Sequence, residues 1–152
     1  MKTIDLIQQQ LHNTIKIGLI QLMESTQVKE TPSLTLKVTE LRSKQGLVHF
    51  ALFSNADGFP TDTAKALKTG RFPVSEIPLN ITLKDLPYGR YAVTVFHDEN
   101  SNGEFDRAFG LPKEGFGFSD NPSVWKGAPK FQQADFEFTD TNSVVEIIMK
   151  YF

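Results

Sequence analysis

The segment Asp98-Glu99-Asn100-Ser101-Asn102-Gly103-Glu104-Phe105-Asp106 carries the most defined chemistry in this chain. Oxygen-bearing side chains stand at its first, third, fifth and ninth positions, with glycine at the sixth. That is the front of a calcium loop of the D-x-[DN]-x-[DN]-G type. Alternate residues of a tight loop point inward, so the Asp98 carboxylate and the amide oxygens of Asn100 and Asn102 converge. Gly103 permits the sharp turn, the main-chain carbonyl of Glu104 adds an oxygen, and Asp106 completes the set. A hard cation taking about six to eight oxygen ligands fits such a loop. Residues Asp98 to Glu114 hold five acids (Asp98, Glu99, Glu104, Asp106, Glu114) and two bases (Arg107, Lys113), a net −3 against −2 for the whole chain. Two features separate the loop from an EF-hand. Phe109 stands where the bidentate glutamate belongs, and the flanks read as strand and glycine-rich loop rather than helices. Glu114 is the carboxylate that a chain folding back would bring in. With so few charges, Ca2+ would be held weakly, at about the millimolar end of the range. Such a site fills outside the cell and stays mostly empty in cytosol. A second reading stands beside it: Asn102-Gly103 is among the strongest hairpin signals, which would make the segment a plain turn.

Other chemistry is sparse. The three histidines are His12, His49 and His97. His97 beside Asp98, or near Glu114, is the arrangement a small hydrolase would use for a base held by a carboxylate. The chain has no G-x-S-x-G, H-E-x-x-H or P-loop, and Gly115-Phe116-Gly117 lacks the third glycine of a dinucleotide loop. The expectation is therefore a non-catalytic module. Zero cysteines exclude disulfides, thiolate catalysis and Cys-ligated zinc or iron–sulfur sites. Sixteen Lys+Arg against eighteen Asp+Glu argue against a nucleic-acid partner. A protein or glycan ligand remains open, with Trp125 and Tyr88 the residues a carbohydrate-binding module would use.

The elements that position these residues follow from periodicity. Residues Arg90 to His97 form a strong strand that ends at the acidic segment. Leu34, Leu36 and Val38 alternate with polar residues, as do Ile81 and Leu83, and Leu47 to Ser54 is also strand-like. Asp135–Phe138 and Val144–Tyr151 flank Thr139-Asp140-Thr141-Asn142 and read as a hairpin. Thr61–Leu67 reads as a short helix. About six short strands separated by turn residues indicate an all-β, antiparallel, immunoglobulin-like β-sandwich over 33–152 rather than a βαβ sheet.

All 17 aromatic residues, 13 of them Phe, lie at position 50 or later. Phe50, Phe53, Phe59, Phe72, Phe96, Phe136 and Phe138 read as sandwich core. Phe105, Phe109, Phe116, Phe118 and Phe131, with Trp125, are expected to order the glycine-rich segment by packing. Residues 1–32 hold no aromatic. Ile4, Ile7, Leu11, Ile15, Gly18 or Leu19, and Leu22 recur at three- and four-residue steps, so an amphipathic helix and a linker at Glu24–Ser33 are expected, with no transmembrane span and no convincing secretory signal.

Tyr91-Ala92-Val93, Phe96-His97-Asp98-Glu99-Asn100, Asn102-Gly103, Asp106 and Gly110-Leu111-Pro112-Lys113-Glu114-Gly115-Phe116-Gly117-Phe118-Ser119 together form a long motif. With Pro129, Phe131, Ala134 and the final strand to Tyr151, it closely resembles the uncharacterised bacterial family called domain of unknown function 2141. The resemblance covers roughly Ser33 to Phe152. It implies a prealbumin-like or carboxypeptidase-regulatory-like sandwich and no particular activity. It also implies the cell envelope, since members commonly begin with an export signal. The acidic loop is similar to those of bacterial surface-adhesin B-type modules, which hold structural calcium. Transthyretin-like hydrolases end in tyrosine–arginine–glycine–serine, whereas this chain ends Met149-Lys150-Tyr151-Phe152.

Overall fold

Apolar residues two apart drive the strands. In β1 (Ser33–Thr39) Leu34, Leu36 and Val38 are fully buried, while the residues between them are half-exposed. That is the signature of a strand with one face on a core. The computed structural model describes residues 2–25 and 30–152. The chain divides into two compact units, 1–30 and 31–152. The first contains the expected helix, α1 (Lys2–Ser25). Among the described residues no helix is long and apolar enough to cross a membrane. The expected linker at Glu24–Ser33 lies partly outside the described residues, at 26–29, and the helix takes its first two positions.

The second unit is an all-β sandwich. One sheet places β1 between β4 (Leu79–Lys84), antiparallel, and β10 (Ser143–Ile148), parallel. The other runs β3 (Lys68–Pro73), β2 (Leu47–Phe53), β5 (Gly89–Asp98), β8 (Gly115–Phe118), with every neighbour antiparallel. β9 (Phe136–Phe138) pairs with the first residues of β5, and β8 pairs with Thr94–His97 of the same strand. Buried Ser119 bridges the gap between them. Its Oγ accepts from the Val93 N–H at 2.8 Å and donates to the Ala134 carbonyl at 2.5 Å, at the end of the short helix α2 (Phe131–Ala134). The sheets meet across one core, with Leu36, Val38, Ile81 and Ile147 on one side and Val48, Leu52, Val93 and Val95 on the other. A separate two-stranded ribbon joins β6 (Arg107–Ala108) and β7 (Leu111–Pro112).

Several expectations need correction. Asp135–Phe138 and Val144–Tyr151 are not a hairpin: β9 joins β5 and β10 joins β1, in different sheets. Sheets pack about 10 Å apart and four extended residues span up to about 14 Å, so one short polar link serves a crossover as well as a turn. The sandwich is also not wholly antiparallel, because β1 and β10 run parallel. β3 was not expected. All its residues but Gly70 are exposed, as an edge strand allows, so it shows no apolar alternation. Of the helix expected at Thr61–Leu67, only a single 3-10 turn at Thr63–Lys65 forms.

Glycine has a specific use at β8. A Cβ on Gly115 would lie 2.2 Å from the Tyr151 ring. The chain end can therefore pass close by, exchanging hydrogen bonds between Phe116 and Lys150 at 3.0 and 2.8 Å.

Candidate functional site

β5 delivers Asp98 to the end of its sheet, fully buried. Its Oδ1 accepts the Asn102 N–H at 3.1 Å, and its Oδ2 accepts the Gly103 N–H at 2.9 Å. His49 Nε2 lies 3.0 Å from Oδ2, and its ring stacks on Phe96 with centroids 4.4 Å apart. Downstream, the Asn100 Oδ1 accepts the Asn102 N–H at 3.2 Å and the Asn102 Oδ1 accepts the Glu104 N–H at 2.9 Å. Each amide oxygen spends one lone pair this way and keeps a second. The side-chain nitrogens of Asn100 and Asn102 donate to Asp106 at 2.7 and 3.0 Å. Those bonds, the one from Asn102 foremost, hold the Asp106 carboxyl below its ordinary range. Ser101 and Gly103 take left-handed φ of 57° and 81°, which winds the segment into a loop.

Glu114 folds back onto this loop. Its side chain is almost fully buried, and its Oε2 accepts the Asp106 N–H at 3.1 Å. Its Oε1 is buried and, among the described residues, has no hydrogen bond of good geometry. Burial first, and the Asp106 and Asp98 charges as well, push the Glu114 carboxyl up, against the pull of the Asp106 N–H and, more weakly, of the Glu99 main chain. Glu114, Asn100 and Asp106 line a cavity of about 220 Å³ with Arg42, Glu99 and Lys113. Arg42 Nε donates to Glu99 at 2.9 Å and Ser43 Oγ at 3.1 Å, and the Arg42 bond is the main reason the Glu99 carboxyl lies below its usual range. Among the described residues no three His, Asp or Glu side chains gather into a group that could hold a metal ion. A cation here would therefore need the neutral oxygens of Asn100, Asn102 and the Glu104 carbonyl too.

The structure thus brings Asp98, Asn100, Asn102 and Asp106 into one hydrogen-bonded loop, with Glu104 joined through its N–H. The loop is not the hairpin that Asn102-Gly103 suggests. Its flanking strands β5 and β6 pair elsewhere, and the tight turn falls at Phe109-Gly110, with φ of 54° and 79°.

His97 does not meet Asp98. Successive strand residues face opposite sides, so His97 turns toward the core. There Nδ1 lies 2.8 Å from the Tyr151 hydroxyl and Nε2 2.6 Å from the Gln45 carbonyl. The histidine that does reach Asp98 is His49, which sequence reading missed because it is 49 positions away. The available signal was its place on β2, in step with Ala51 on the face opposite Val48 and Phe50.

The aromatic segment divides. Phe105 packs at 5.7 Å from Phe96 and 6.1 Å from Phe116, while Phe59 gathers Phe118 and Phe131 at 6.2 and 5.9 Å. Phe109 and Trp125, expected to pack with them, are exposed instead, Phe109 at the tip of the β6–β7 ribbon. Tyr88 packs on Phe138 at 5.1 Å.

The sequence model of a family described as an uncharacterized protein conserved in bacteria, domain of unknown function 2141, matches residues 36–146. No curated protein and no solved structure matches the chain.

Proposed function

The chain belongs to this bacterial family of uncharacterized proteins, and on that premise we propose that residues 33–152 are a non-catalytic, prealbumin-like module for binding or scaffolding at the cell envelope, with a structural calcium loop at Asp98–Asp106. The supporting observation is the buried, partnerless Oε1 of Glu114 beside that loop. A buried polar atom without a partner is costly, and a charged one more so. A divalent cation supplies the partner. Its ligands would be the side-chain oxygens of Asp98, Asn100, Asn102 and Asp106 and the Glu104 carbonyl, with Glu114 in place of the glutamate an EF-hand carries twelfth. The ion offsets repulsion among these carboxylates and holds the segment bearing Phe105 and Phe116 in place. Weak affinity suits a compartment where calcium is about millimolar, which is the argument for the envelope.

Thermal unfolding tests this. Calcium at about ten times its dissociation constant should raise the melting temperature by about 5 °C. Asp98→Ala should abolish the rise. Glu114→Gln should melt higher than wild type without calcium, since a neutral amide removes the buried charge, and should lose most of the calcium response. A wild-type melting temperature unmoved by millimolar calcium would refute the loop's role.

A further inference from the structure

The outer face of the sheet β3-β2-β5-β8 is not closed. Cross-strand partners project to the same side, so Arg71, His49, Phe96 and Phe116 form one row across it. Thr69, Ala51, Thr94 and Phe118 form the next. The second row is short in its middle, which leaves a trough. Phe105 and Leu111 wall it on one side, and Val124 and Trp125 stand on another. The result is a cleft of about 1060 Å³. That is about the upper end of the size range for small-molecule sites.

Its lining is chemically selective. Among the described residues no Asp, Glu, Asn or Gln lines it, whereas Arg71, Arg107 and the Asp98-bonded His49 do. The whole chain carries −2, so this bias opposes the overall charge. Neither arginine has a carboxylate partner within salt-bridge distance among the described residues. Arg71 stands opposite His49 in register. The Arg107 guanidinium lies 5.3 Å over the Phe105 ring, which itself packs edge-on to Phe96. Both cations therefore border the same row, and the apolar trough extends away from it.

We infer that the cleft binds a single-chain amphiphile bearing a carboxylate. The carboxylate lies at the Arg71–Arg107 end, beside His49, whose Nε2 is already engaged by Asp98. The acyl chain lies over half-buried Thr94 toward Val124 and Trp125. Charge-assisted hydrogen bonds from arginine orient the headgroup, and burial of the chain against the aromatic walls provides most of the affinity. The proposal does not rest on the calcium reading, although His49 in the lining is bonded to Asp98 and Gly103 and Phe105 belong to the acidic loop.

Trp125 is the only tryptophan and lines the cleft, so its emission reports occupancy directly. The full chain is titrated with dodecanoate below its micelle concentration, and in parallel with dodecanol and dodecyltrimethylammonium. Dodecanoate should shift Trp125 emission to the blue, with about tenfold or greater preference over the other two probes. The Arg71→Ala/Arg107→Ala double variant should lose that preference while still binding dodecanol. Leu111→Ser, at an exposed wall of the cleft, should weaken all probes alike. The double variant, on the surface, is the deciding arm. Equal binding of the three probes overturns the proposal. So does a double variant that keeps the preference for dodecanoate. Binding to phosphatidylglycerol vesicles without binding of free dodecanoate also overturns it, in favour of a membrane surface.

Discussion

The two faces of the sheet β3-β2-β5-β8 come from the same strands and end differently. The inner face meets another sheet, and Val48, Leu52, Val93 and Val95 are almost wholly removed from water. Among the described residues, the outer face meets loops, the β6–β7 ribbon and the short helix α2. At one end Phe53, Ala92, Phe118 and Phe131 form a second small core with Phe59 packed on it. At the other end His49 reaches over to Asp98 and ties the acidic loop to the sheet. Between them the cleft stays open, flanked by exposed Trp125 and Leu111. A sheet can cover another sheet continuously because both are regular. Loops cover piecemeal, through single side-chain bonds and aromatic edges. Stability should therefore reside on the inner face and ligand contact on the outer.

Substitutions can break this contrast. The largest effect is expected at the inner face: Leu52→Ala should cost about 3–4 kcal/mol in urea unfolding, from lost burial and the cavity left behind. Gly46→Ala should cost about 3 kcal/mol, because Gly46 has φ +72° and a Cβ there would sit 2.0 Å from the Asp98 carbonyl oxygen. His49→Ala should cost about 2 kcal/mol by stripping a partner from the buried Asp98 carboxylate, and should speed proteolysis within residues 99–113. Trp125→Ala should stay within about 0.5 kcal/mol of wild type, as exposed positions do, while weakening dodecanoate binding measured by calorimetry. If Leu52→Ala and Trp125→Ala destabilised equally, the division of labour between the faces would be wrong.

β1, β2, β4 and β5 were readable because each obeys a period that burial imposes locally, and the helix because its apolar residues recur at helical steps although they are exposed. Leu34, Leu36 and Val38 needed no knowledge of their partners to be placed inward. The acidic loop was equally visible, since its hydrogen bonds from Asn102, Gly103 and Glu104 back to Asp98, Asn100 and Asn102 span only two to five residues. β3 was not visible, because an exposed edge strand held by main-chain bonds to β2 has no alternation to show. Nor was the fate of Thr139–Asn142, because its composition suits a crossover and a hairpin alike. Phe109 and Trp125 show the limit of composition: being aromatic did not bury them.

By itself, then, the sequence determined the class of fold, the positions of the regular inward-facing strands and the oxygen-rich loop after β5. These depend on interactions between near neighbours and on a period. Only the tertiary structure decided that His49 rather than His97 faces Asp98, that Glu114 leaves one oxygen buried and, among the described residues, unpaired, and that Arg71 and Arg107 line one cleft. Those pairings join residues brought together by strand register and loop return, and no local rule in the chain encodes either one.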